Sequence, residues 1–192
     1  MDQSKPPRLT YKVQLPGGQT RLREAALYVM KACAAAEAFG LTKLNKILWR
    51  ADFRAFASRG VPVTGRQYQR LSQGPAPVEM FPLLQDMQTD GVIEIEKRPV
   101  GSFEESRPCA LVEPSMRFFS ADDVAYLDKA IADYWAMSGR EVSKDSHGVA
   151  WETRANGDPM PYDLALLSDD LMDRSDKDRF SLLAIEHGWR SE

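Results

Sequence analysis

From residue 21 onward, apolar side chains recur at Leu22, Ala26, Val29, Cys33 and Ala36, at steps of three and four that place them on one helix face. Gly40 then supplies a C-terminal stop, so the pattern predicts a helix over 21–40. A second run turns Leu44, Ile47, Leu48, Ala51 and Ala55 inward from Leu41, and Gly60 with Pro62 ends it. Two helices joined by one glycine should pack as a hairpin. Tyr68, Arg70 and Gly74-Pro75 read as a short extended piece and a turn, and 81–89 as a third helix closed by Gly91. Val92, Ile93 and Ile95 alternate partly with Glu94 and Glu96, and 109–112 is a second apolar run. Together they predict two strands around a long Pro/Gly/Ser loop over 98–108. Ser120, with Asp123 three positions on, is an N-cap signature, and Val124, Leu127, Ile131 and Tyr134 follow at helical spacing toward Gly139. Shorter helical stretches are expected over 142–147, 163–167 and 175–187.

These elements predict a mainly α fold with a small antiparallel β-hairpin, an α+β arrangement in one compact domain, with winged-helix-like element order in its first half. Residues 1–20 hold a single extended stretch and read as an arm ordered by docking. At 192 residues and 43% hydrophobic content, the chain can bury a core without a disulfide or metal staple. Its net charge of −3 argues against a whole-protein grip on nucleic acid or an anionic membrane, although a local basic patch stays open. No apolar h-region and no 18-residue charge-free apolar run are present, so the expectation is a cytoplasmic protein without a membrane span. Cys33 reads as a small core residue, and it and Cys109 are expected to be reduced.

The search for chemistry returns little. His147 and His187 lie in no HExxH or CxxC spacing, so no metal site is expected. Without GxGxxG or GxxxxGK[ST], no cofactor is expected, and without a GxSxG elbow no catalytic residue is assigned. Lys43, Lys46, Arg50 and Arg54 align in one helical stripe, which reads as a solvated face and, alternatively, as a contact for phosphates or an acidic partner. Trp151 lies four residues after His147 and shares its face if a helix passes Gly148, which makes the pair a packing anchor. Spacing alone leaves the role of Asp52 open.

The run from Leu44 through Ile47, Leu48, Trp49 and Arg50 to Asp52, then Gly60, Tyr68, Gly74-Pro75, His147 with Trp151 and Pro161-Tyr162, resembles the Panacea domain of SocA-like antitoxins in order and spacing. The resemblance covers about 22–167 and implies a division into an N-terminal arm (1–20), a Panacea domain (21–168) and an acidic C-terminal helical extension packed on that domain (169–192). It implies a non-enzymatic type II antitoxin whose partner is a co-encoded, cognate toxin. Some members of that family also deliver the toxin to the ClpXP protease, and the sequence leaves that role open. The residues that carry the resemblance are the candidate partner-binding set: Lys46, Arg50, Asp52, Gln73, Gly74, Pro75, His147 and Trp151. For Gly74, Pro75 and Trp151 an internal structural role is the favoured reading. The alternative is a winged-helix-like DNA-binding transcriptional regulator, with the Lys43 to Arg54 stripe and the 98–107 loop at the phosphates. A third reading, an enzyme built around His147 and Asp52, lacks a motif.

Overall fold

A computed structural model describes residues 9–100 and 103–167. The predicted helix over 175–187 and the acidic extension over 169–192 lie outside the described residues. The elements run α1 (Gln19–Ala32), α2 (Leu41–Arg59), β1 (Tyr68–Leu71), β2 (Gly74–Pro77), α3 (Met80–Thr89), β3 (Ile93–Val100), β4 (Phe103–Ala110), α4 (Ala121–Tyr134), α5 (Gly139–Asp145), α6 (Val149–Glu152) and β5 (Pro159–Met160), with a 3-10 turn over Tyr162–Leu166. The fold is therefore mainly helical with small antiparallel sheets. Among the described residues, no helix is long and apolar enough to cross a membrane.

Helix α2 is the spine. It begins after Gly40, ends where Gly60 takes the left-handed conformation (φ +72°), and presents apolar or buried side chains to α1, α4, α5, β2, β4 and the 3-10 turn. Leu44, Ile47 and Leu48 from α2, Leu22 and Leu27 from α1, and Leu127 from α4 meet in the larger apolar cluster. Each such buried side chain contributes roughly 1.5–3 kcal/mol of transfer free energy. Phe53 on the far side of α2 joins Tyr68, Met160, Tyr162 and Leu164 in a second cluster. Residues 10 and 13 lie against this cluster: Val13 donates its N–H to Gly65 O at 3.0 Å, and Thr10 O accepts from Tyr162 N at 2.7 Å.

The two sheets are separate. Strands β1 and β2 form a hairpin with Leu71 opposite Gly74, so Ser72 and Gln73 make its turn, and β5 pairs with the other side of β1. Among the described residues, the second sheet is β3 with β4 alone. Helix α4 opens with the expected cap: Ser120 Oγ accepts from Asp123 N at 3.1 Å and the Asp123 carboxylate answers Ser120 N at 2.9 Å.

Three predicted boundaries are corrected. Helix α1 stops at Ala32 rather than Gly40, because Arg107 Nη2 reaches across from β4 to the carbonyls of Cys33, Ala34 and Ala36 at 3.2, 2.8 and 3.0 Å. That guanidinium answers carbonyls a helix end leaves orphaned, and Gly40 instead starts α2 in extended backbone (φ −112°, ψ −179°). Residues 98–100 and 103–108, expected in a long loop, are strand: β3 and β4 continue in register to Val100 opposite Phe103, with Lys97 pairing Glu104 at 3.0 Å. Prolines 99 and 108 do not forbid this, since a two-stranded sheet has only edges, where a missing N–H can face outward. Helix α4 ends at Tyr134 rather than near Gly139, and α5 starts with its own capping box of Ser138 and Glu141.

Candidate functional site

The site is assembled on the N-terminal half of α2, the β1–β2 turn and the α5–α6 segment. Lys46 projects from α2 toward β2 and donates to Pro75 O at 2.7 Å. Its side chain is buried, with 2% exposure, so removal from water pushes its pKa down to about 7. Gly74 lets the turn lie against this lysine: it holds a φ of +97°, and a Cβ there would fall 2.3 Å from Ser146 Oγ and 2.6 Å from Lys46 Cε. Gln73 at the apex is clamped from two sides, its backbone oxygen by Ser143 Oγ at 2.9 Å and its side-chain oxygen by Thr42 Oγ1 at 2.8 Å. These contacts fasten the hairpin turn to α5 and to the start of α2.

The predicted His147–Trp151 pairing exists, although Gly148 breaks the helix between them. The rings stack at 3.7 Å between centroids with 10° between their planes. Trp151 Nε1 donates to Leu71 O at 2.8 Å, which makes it an anchor for the end of β1, and the Arg70 guanidinium lies 3.7 Å from the Trp151 ring. His147 Nε2 sits 3.5 Å from Ser143 Oγ. Burial, then the positive charges of Lys46 and Arg70, hold the His147 pKa below its usual value against the opposing pull of Glu152.

Six of the eight sequence candidates thus converge: Lys46, Gln73, Gly74, Pro75, His147 and Trp151. Arg50 belongs to a neighbouring charge network, with Nε 3.0 Å from Asp133 and Nη1 3.1 Å from both Tyr134 Oη and Asp145. Arg54 also pairs with Asp133. Asp52 stands apart at the second cluster with 0% exposure. It accepts from Thr64 N at 2.6 Å, from Thr64 Oγ1 and from Tyr68 Oη at 2.9 Å, while Tyr162 Oη lies 3.4 Å away and gives its proton to Arg66 O at 2.6 Å. Desolvation lifts its pKa to about 6, while the hydrogen bonds from Thr64 and Tyr68 pull the other way. Among the described residues, Asp52 and His147 share no hydrogen-bonding partner.

The expectation of a solvated basic stripe fails at Lys43 and Lys46, whereas the side chain of Arg54 keeps 41% exposure. Lys43 is 1% exposed and gives its three ammonium protons to the carbonyls of Ala38, Trp135 and Met137 at 2.8, 2.8 and 2.7 Å. It ties α2 to the end of α4, as Arg107 ties β4 to the end of α1. With Lys43, Lys46 and Arg107 buried, the phosphate contacts that the regulator reading needed at these positions are closed to a duplex.

Sequence reasoning missed Arg70, Asn45 and the serines of α5. Ser143 lies four residues before His147, a spacing that could have marked it. Asn45 and Arg70 carry no local signal.

Two cavities flank the cluster. One of about 170 Å³ lies between α2 and the 3-10 turn, walled by Trp49, Phe53, Ala150, Leu164 and Leu167 with Arg50 and Asp145 at hand. The other, about 120 Å³, opens beside Lys46, Asn45, Thr42, Gln73 and Gly74. The sequence model of the antitoxin SocA-like, Panacea domain family matches residues 44–152, which include the whole convergent cluster. No curated protein and no solved structure matches this chain.

Proposed function

This chain belongs to the SocA-like, Panacea domain antitoxin family, and from that membership we propose that it neutralises a co-encoded toxin by direct, stable binding without turnover. The observation that carries the reading is the family match over 44–152, within which six of the resemblance-bearing residues meet in one cluster. The face that meets the toxin is built from Gln73, His147 and the edge of Trp151, which are partly or fully exposed, while Gly74 and Pro75 set the turn beneath them. Arg50 borders this face. A rigid turn clamped from three elements suits recognition, because little side-chain freedom remains to be lost on binding.

Masking is stoichiometric, which separates it from catalysis. The test is co-purification with the product of the adjacent gene, followed by titration of rescue. A stable complex and rescue at comparable amounts of the two proteins are expected. Rescue at strongly substoichiometric amounts, or no complex by size exclusion, refutes masking. Delivery of the toxin to ClpXP is a separate step, tested by toxin half-life in cells lacking that protease.

A further inference from the structure

Lys46 is a buried cation that the described residues answer only in part. Its ammonium has three protons and gives one to Pro75 O, and among the described residues no carboxylate pairs with it. Lys43, three residues earlier on α2, has an acceptor for each proton. Buried charges are ordinarily paired, so the contrast asks what completes Lys46.

The space beside it answers. The 120 Å³ cavity is lined by Lys46, by Thr42 and Gln73, and by Asn45, whose amide oxygen is shielded from solvent and makes no hydrogen bond. A half-turn of that side chain presents its amide N–H groups at the same place. Gly74 closes one wall at a distance that admits no Cβ, and the Arg70 guanidinium adds positive potential from the α6 side, opposed by Glu152. The Lys46 ammonium is the donor already in place, and the Asn45 amide becomes the second donor once turned, which is what two oxygens of a single group require. A phosphate, with more oxygens and charge, would need further donors such as an arginine fork or a backbone nest.

We propose that this cavity receives a carboxylate, the side chain of an aspartate or glutamate on the toxin, which becomes the counter-ion of Lys46 and accepts from Asn45. The identity of the partner rests on the antitoxin reading, but the anion site itself does not. A carboxylate seated there also explains why a lysine, the Gly74 turn and the clamped Gln73 are held together without a catalytic task.

The experiment has two arms on the full-length protein. In the first, the titration of Lys46 is followed through its Cε resonance in chloride, acetate and phosphate buffers of equal ionic strength. Acetate should raise the midpoint from about 7 by about one pH unit, as an opposing charge does. An unmoved midpoint overturns the site, and a response to phosphate without one to acetate overturns the carboxylate assignment. In the second, Lys46→Met, which keeps the stem and removes the charge, should weaken the toxin complex about tenfold or more without lowering the thermal midpoint. Unchanged affinity overturns the toxin carboxylate. If the wild-type protein binds no toxin, the antitoxin reading fails while the acetate arm still decides the cavity.

Discussion

Lys46 and Asp52 sit six residues apart on α2, both buried and both candidates for a binding surface, yet their surroundings differ in kind. Asp52 meets the N–H and hydroxyl of Thr64 and the hydroxyl of Tyr68, with Tyr162 Oη nearby at 3.4 Å, so its oxygens are answered from 64 and 68. Lys46 meets a single carbonyl and an open cavity. Burial of a charge therefore marks nothing by itself; what distinguishes a structural node from a site is whether the fold has already supplied every partner.

The largest expected effect breaks the satisfied side of this comparison. Asp52→Ala strands buried donors of Thr64 and Tyr68 and should cost about 3–5 kcal/mol, read as a drop in denaturant midpoint. An unchanged midpoint would mean that the node is not structural.

Next comes the pH dependence of the same group. With a folded pKa of about 6 against an ordinary 3.8, the folded state keeps a proton between those values that the unfolded chain gives up. The stabilisation is thus full below pH 4 and fades as pH rises through 6, by about 3 kcal/mol relative to Asp52→Asn. A difference between the two proteins that does not change across this window would contradict the assignment.

Gly74→Ala forces a Cβ into Ser146 and Lys46 at a φ of +97°, and should cost about 2–3 kcal/mol through strain and displacement. Because it moves the turn against Lys46, toxin binding should fall with it. A stable Gly74→Ala protein with full binding would show that the turn has slack.

Lys46 reverses the sign found for Asp52. Its folded pKa of about 7 lies below the ordinary 10.5, so between these values the unfolded chain holds the extra proton and stability rises with pH. From pH 7 to 9 the gain should be about 2 kcal/mol, absent in Lys46→Met. The smallest effect is expected at the exposed edge: His147→Ala loses one ring stack, worth less than about 1 kcal/mol of stability, while weakening the toxin complex measurably by calorimetry.

Much of this architecture was legible in local pattern. The bounds of α2, the capping box at Ser120 and the burial of Leu48 and Leu127 follow from neighbours three and four residues away, whose chemistry a sequence displays directly. The candidate site was legible as a set of residues but not as two places. Nothing in the spacing of Lys46 and Asp52 tells that one faces the β1–β2 turn and the other faces Tyr162, 110 residues onward.

What the sequence by itself determined was the class of fold, the helices with complete local signals and the family resemblance. Tertiary structure alone decided where α1 and α4 stop, that 98–100 and 103–108 are strand, and that the Lys43 to Arg54 stripe is half interior. Each of these turns on a hydrogen-bonding partner brought from elsewhere in the chain: Arg107 to the carbonyls after α1, Lys43 to those after α4, Pro75 to Lys46. A cation on a helix reads as solvated until the element packed over it is known, because the same ammonium is satisfied by water or by a distant orphaned carbonyl. Periodicity shows which face of a helix is apolar, whereas only the assembled chain shows what covers the other face.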